Sequence, residues 1–201
     1  MQKRDPQDAR RRLYEFAVPQ GGYFTAAQAV KAGYPKQLQH YHVKRGNWVR
    51  EGWGICRLPE WPRSSYDDLI RWALWSHGLA VVSHQSAMAV HGISDLMPAR
   101  IYLTVPAGFR KKPPSSIVLY RANLAPHEIE QREGFRVTTP LRTLIDAARA
   151  AVDPERLSAA IRDAILKGLL GDRHIEAAIT TLKGPAAERL YSALQEARRA
   201  A

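Results

Sequence analysis

The chain has 201 residues and a mass of 22.6 kDa, with 45% hydrophobic and 24% charged residues, the composition of a folded globular protein of one large domain or two small ones. A lone cysteine, Cys56, excludes an internal disulfide and every zinc site built from two or more cysteines, and it points to a reducing, cytoplasmic setting. Thirty Lys and Arg against nineteen acids give a formal charge of +11 and a pI near 10.1, so the expected partner is a polyanion.

The basic excess is uneven. Residues 1–63 hold twelve bases and five acids (+7), residues 64–150 ten and seven (+3), and residues 151–201 eight and seven (+1). This distribution predicts a nucleic-acid module at the N-terminal end. No apolar run follows the charged start Met1-Gln2-Lys3-Arg4, which argues against a signal peptide. The uncharged stretch around His77, His84 and His91 is too polar to span a bilayer, so no membrane partner is expected.

In chain order, residues 8–17 read as a first helix with Leu13, Phe16 and Ala17 on one face and Arg10, Arg11 and Arg12 ahead of them. Thr25 is a good N-cap for a second helix, Ala26 to Ala32, closed by Gly33. Pro35 opens a third, which runs to about Arg45 and ends at Gly46. At 100° per residue Leu38, Tyr41 and His42 share an inward face with the stem of Arg45, while Lys36, Gln37, Gln39, His40 and Lys44 point outward. Trp48 to Arg50 and Ile55 to Leu58 flank the turn residues Glu51-Gly52-Trp53-Gly54, a hairpin where a wing would follow a recognition helix.

Together these elements predict a winged helix–turn–helix over residues 1–62 that binds double-stranded DNA. Glutamine and lysine on the third helix would address base edges in the major groove, and wing arginines would reach phosphate. The candidate contacts are Arg11, Arg12, Thr25, Lys36, Gln37, Gln39, His40, Lys44, Arg45, Arg50, Trp53 and Arg57.

Residues 63–201 read as a second, α+β domain. Leu69, Ile70, Ala73 and Leu74 have helical spacing up to Gly78, and Ser83 is placed as the N-cap of a helix from His84 to His91. Extended runs follow at residues 101–105, 117–121 and 135–138, then helix starts at Pro140, Pro154, Asp172 and Pro185, which predicts a small antiparallel sheet with several helices. The proline-closed loop between the first two runs carries Arg110, Lys111 and Lys112, a candidate surface of this domain.

His77, His84 and His91 are seven residues apart, but two turns of helix put His84 and His91 about 10 Å apart along the axis, too far to share one ion, so no metal site is expected. An enzyme acting on nucleic acid through Ser83, His84 and His91 is the alternative reading. Against it, no paired-carboxylate, nuclease, P-loop or dinucleotide motif is present, and neither a catalytic residue nor a cofactor is expected.

Five segments, Gly22-Tyr-Phe-Thr-Ala-Ala-Gln-Ala29, Leu38-Gln-His-Tyr-His-Val-Lys-Arg-Gly46, Trp48-Val-Arg-Glu-Gly-Trp-Gly-Ile55, Ser83-His-Gln-Ser-Ala87 with His91-Gly92, and Thr138-Thr-Pro-Leu-Arg-Thr-Leu-Ile-Asp146, resemble the AbiEi-type antitoxin family in that order over about residues 20–150. The resemblance implies an N-terminal winged helix that represses its own operon at an operator with inverted repeats. It also implies a C-terminal antitoxin domain counteracting a nucleotidyltransferase toxin, in a type IV arrangement that needs no stable complex and no catalytic residue. A stand-alone regulator without a toxin is the neighbouring alternative.

Overall fold

The computed structural model describes residues 6–93 and 98–200, and the chain divides into two compact units. The first takes the chain up to Leu79 together with the turn Arg132–Phe135; the second takes Ala80–Gln131 and Arg136 onward.

In the first unit α1 (Pro6–Ala17), α2 (Ala26–Ala32) and α3 (Lys36–Lys44) surround a three-stranded sheet of β1 (Tyr23–Thr25), β2 (Val49–Gly52) and β3 (Ile55–Arg57). The strand order is β1-β3-β2 and both pairings are antiparallel, with Phe24 opposite Cys56 and Val49 opposite Arg57. Thr25 caps α2 as expected. Its hydroxyl accepts the Gln28 amide N–H at 3.1 Å while Gln28 Oε1 accepts the Thr25 N–H at 2.7 Å, a reciprocal pair that satisfies two otherwise orphaned donors.

Leu13, Ala17, Phe24, Ala29, Trp48 and Leu58 form the core. Trp48 organises it, meeting Phe24 edge-on at 4.9 Å and Tyr34 at 5.0 Å and stacking on the His42 ring at 4.8 Å.

Helix α4 (Asp67–Trp75), placed by the sequence at the head of the second domain, clusters with this first unit. Glu51 on β2 explains why. Its carboxylate, 10% exposed, faces Arg63 Nη2 at 3.0 Å, Arg57 Nε at 3.5 Å and Arg71 Nε at 4.0 Å, and Arg71 also donates to the Glu51 carbonyl at 3.1 Å. The Trp53 and Trp72 rings, 4.8 Å apart, add apolar contact, and Phe135 lies 5.4 Å from Tyr66.

The second unit is built on β4 (Val81–Val82), β5 (Ile101–Val105), β6 (Ile117–Arg121), β7 (Ile129–Arg132) and β8 (Phe135–Thr138), in the order β6-β5-β4-β8-β7. The sheet is mixed, which corrects the antiparallel sheet predicted above: β4 and β5 are antiparallel, but β5 runs parallel to β6 and β4 parallel to β8. A parallel pair needs a crossover, and the long loop between β5 and β6 supplies one where a tight hairpin turn is missing.

Helices α5 (His84–His91), α6 (Pro140–Arg149), α7 (Pro154–Leu166), α8 (Asp172–Thr181) and α9 (Pro185–Arg199) complete the unit. Leu144, Leu157, Ile161, Ile175, Leu190 and Leu194 are fully buried in their shared core. Proline at the first turn of α6, α7 and α9 gives up an N–H that has no helical partner there, and Asp153 caps α7 through the Arg156 N–H.

Because Arg57 and Glu51 are both buried, replacing Glu51 with glutamine strands a guanidinium away from solvent. Glu51→Gln is expected to lower unfolding free energy by about 3 kcal/mol, read from the denaturant midpoint; a loss under about 0.5 kcal/mol, the scale of exposed pairs, refutes the central role given to it.

Candidate functional site

The basic residues predicted to meet DNA all lie in the first unit, and most are exposed. Lys36, Gln37, His40, Lys44 and Arg45 are on the open side of α3, Arg50 is exposed on β2, and Trp53 is 56% exposed in the hairpin turn at φ +48°. Arg45 lies over the Tyr41 ring at 5.5 Å. Arg11 and Arg12 stand at the solvent face of α1, where both pair with Asp8.

Two candidates are corrected. Gln39 is turned inward: its amide donates to the Ala26 carbonyl at 3.0 Å and the Tyr34 carbonyl at 2.8 Å, closing the turn between α2 and α3. Arg57 is 7% exposed and donates to the Leu58 and Trp61 carbonyls at 3.1 and 2.6 Å, so it holds the strand end and does not face solvent. Leu38 and Tyr41, expected inward, are 38% and 49% exposed. The helix is rotated because the Gln39 hydrogen bonds and the His42 stack on Trp48 fix its face, and a nine-residue helix with few apolar positions offers little to oppose them. Thr25 serves the α2 cap already described.

Arg110 and Lys112 are exposed on the crossover loop of the second unit, with Lys111 half-buried beside them. Ser83 and His84 do come together. Thr104 Oγ1 donates to Ser83 Oγ at 2.8 Å, and Ser83 Oγ lies 2.9 Å from His84 Nδ1. Ser83 Oγ thus accepts the Thr104 hydroxyl and shares a second hydrogen bond with the His84 ring. Ser83 has no exposed surface; it stands at the N-cap of α5 as expected, its carbonyl accepting the Ala87 N–H at 3.2 Å, but its hydroxyl makes no cap bond. His91 stands apart, its Nε2 2.7 Å from the Thr138 carbonyl, and His77 is exposed.

His84 is held at φ +52°, a left-handed conformation that costs a non-glycine residue about 1–2 kcal/mol. Its ring stacks on Tyr120 with centroids 3.6 Å apart, and burial, reinforced by the charge of Arg142, pushes its pKa down to about 4. These rings border a cavity of about 360 Å³ completed by Thr104, Arg121, Arg142, Asp146 and Arg149. Arg142, 8% exposed, donates from Nε to Asp146 Oδ1 at 2.8 Å and from Nη1 to Glu128 Oε1 at 2.7 Å. Burial pushes the Asp146 carboxyl up against the pull of Arg142. Glu128 is held below the usual carboxylate range because the Ala125 amide and Arg142 outweigh its own burial.

Asp146 Oδ2 is buried without a hydrogen-bond donor. A second cavity, about 420 Å³ in the first unit, differs in this respect, since Tyr14 donates to Glu60, Arg10 to Tyr14, and Asn47 pairs with His42 at 3.1 Å. Sequence reading missed the second-unit cavity because its residues are scattered from 84 to 150. The one local signal was an Arg and an Asp four apart on the buried stripe of α6.

Among the described residues no cluster of His, Cys, Asp and Glu is arranged to hold a metal ion, and no helix is long and apolar enough to cross a membrane.

Residues 78–194 match the AbiEi antitoxin C-terminal domain, so the second unit carries an antitoxin domain of the type IV toxin–antitoxin class. The match spans more than half of the chain, which therefore belongs to the AbiEi antitoxin family, and membership implies a toxin as functional partner. The fold is similar to that in the crystal structure of the RV2827C protein from Mycobacterium tuberculosis, with a TM-score of 0.60 and 18% identity, over 98% of this chain and 79% of that one. No curated protein gives a significant match.

The depressed pKa of His84 has a definite sign. The unfolded chain takes up a proton near pH 6.5 while the folded state resists until about pH 4, so the stability this neutral ring carries is full above pH 6.5 and drains away on acidification. Asparagine tolerates the left-handed backbone and does not titrate. From pH 7 to pH 4 the wild type is expected to lose about 3 kcal/mol more than His84→Asn in denaturant unfolding; parallel pH profiles would show that His84 is not held neutral.

Proposed function

We propose that the first unit is a winged helix–turn–helix that binds duplex DNA and represses the protein's own operon, and that the second unit counteracts a nucleotidyltransferase toxin without chemistry of its own. The observation that carries the DNA reading is the exposure of Lys36, Lys44 and Arg45 along α3 and at its end and of Arg50 on β2, in the segment that holds most of the chain's excess positive charge. Three helices on a three-stranded sheet, with the β2–β3 hairpin following α3, are the order in which a recognition helix precedes a wing. Phosphate neutralisation by such a surface supplies most of its affinity.

The exposed side chains divide the work. Lys36, Gln37 and His40 are the base-reading candidates, and Lys44, Arg45, Arg50, Arg11 and Arg12 the phosphate contacts. Gln39 and Arg57 support the surface from behind.

The test is binding of the full-length protein to its promoter and to unrelated duplex across a salt series. Contact with about four to six phosphates predicts a log–log slope of roughly −4 to −5 per protomer. Arg50→Ala is expected to weaken both duplexes alike, whereas the pair Lys36→Ala and His40→Ala erodes the preference for the promoter. A flat salt response removes the DNA reading.

Co-expression tests the toxin. The full-length chain is expected to restore growth to cells producing a nucleotidyltransferase encoded beside it. Failure to rescue alongside intact promoter binding would identify a stand-alone regulator.

A further inference from the structure

Three features of the second unit converge on the cavity beside His84. The first is charge. Arg121, Arg142 and Arg149 line it against a single acid, Asp146; Arg142 is consumed by Asp146 and Glu128, but Arg121 has no acidic partner among the described residues, and Arg149 stays half-exposed 3.8 Å from Asp146 Oδ1. The second is an unmet acceptor. Asp146 is 3% exposed, and its Oδ2 receives no hydrogen bond, an omission that folded proteins rarely leave uncompensated. The third is an aromatic wall, His84 stacked on Tyr120, kept in place by a strained backbone.

A ligand that answers all three is anionic at one end, donates a hydrogen bond from its middle, and carries a flat ring. Its bulk must suit about 360 Å³, near the lower end of small-molecule sites. We propose that this cavity binds a ribonucleoside phosphate, with the phosphate on Arg121 and Arg149, a ribose hydroxyl donating to Asp146 Oδ2, and the base against the His84–Tyr120 wall. Arginine suits phosphate through its fork of N–H donors, a carboxylate is a common acceptor for ribose hydroxyls, and aromatic side chains accept any base face. Free amino acids and simple anions satisfy only part of the set, since neither needs the aromatic wall. The same chemistry is presented by a free mononucleotide and by the terminal nucleotide of an RNA strand.

This proposal is independent of duplex binding by the first unit, and the experiment keeps the two apart. Full-length protein is titrated in about physiological salt with the four ribonucleoside 5′-monophosphates, a 2′,3′-dideoxynucleotide, inorganic phosphate, and a short RNA with a free or blocked 3′ end. Promoter binding is followed in the same variants. At least one ribonucleotide is expected to bind saturably and at least tenfold more tightly than inorganic phosphate or the dideoxynucleotide. The double variant Arg121→Ala and Arg149→Ala, at exposed positions, is expected to weaken it at least tenfold with the melting temperature and promoter binding unchanged. Asp146→Asn is expected to remove the preference for ribose over dideoxyribose; should that variant fail to fold, the ribose comparison in the wild type and the arginine pair decide the matter. Tighter binding of the free-ended RNA than of any mononucleotide assigns the site to strand ends, and the reverse assigns it to free nucleotides. Absence of saturable binding by every probe, or binding indifferent to the two arginines, overturns the proposal.

Discussion

The buried guanidinium of Arg142 is the constraint around which the second unit is arranged. Taking a cation out of water costs several kcal/mol, and the cost is offset only if acceptors meet it with good geometry. Asp146, one helical turn along α6, accepts a hydrogen bond from Nε, and Glu128, in the short 3-10 turn ahead of β7, accepts one from Nη1. Glu128 in turn accepts the Ala125 amide at 2.8 Å, so the approach to β7 and the start of α6 are tied through one side chain. The same arrangement uses only one oxygen of Asp146 and leaves the other facing no donor. A polar cavity follows from how the ion pair is satisfied.

In the first unit a carboxylate plays the corresponding part. Glu51 gathers cations from β3, from the segment after it and from α4, so the residues that follow the hairpin belong structurally with what precedes them. The division of charge matters for the surface as well. Arg57 and Arg71 are consumed in neutralising Glu51, while Lys36, Lys44, Arg45 and Arg50 keep their charge toward solvent. A sum over the sequence treats these arginines and lysines as equivalent, but only the second group generates an external field.

The helices were legible because their ends are written in local chemistry. Thr25 with Gln28 three residues on, Gly33, and the prolines opening α6, α7 and α9 each act over a single turn. What escaped depends on distant partners. The facing of α3 is decided by Gln39 reaching two carbonyls in the preceding segment, and no periodicity in nine residues announces that. Strand β4 is two residues long and gives no alternation to detect; without it, the parallel partner of β8 is invisible. On α3 the spacing places Lys36, Gln37, His40 and Lys44 toward solvent, where they are exposed, but it also turns Gln39 outward and Leu38, Tyr41 and Arg45 inward, and these are reversed. The cavity became apparent only when β5, β6, α5 and α6 were brought together, since its features are an unmet oxygen and a strained backbone at His84.

The turn Arg132–Phe135 belongs to the first unit although the residues on either side of it belong to the second. The backbone therefore leaves the first unit at Leu79, returns for four residues and leaves again. For a chain emerging from the ribosome at about 5–20 residues per second, the N-terminal unit lacks its last piece until well over half of the polypeptide has been made. The order of synthesis and the order of completion are thus decoupled. The first unit waits on four residues that are made only after β4, β5 and β6 of the second.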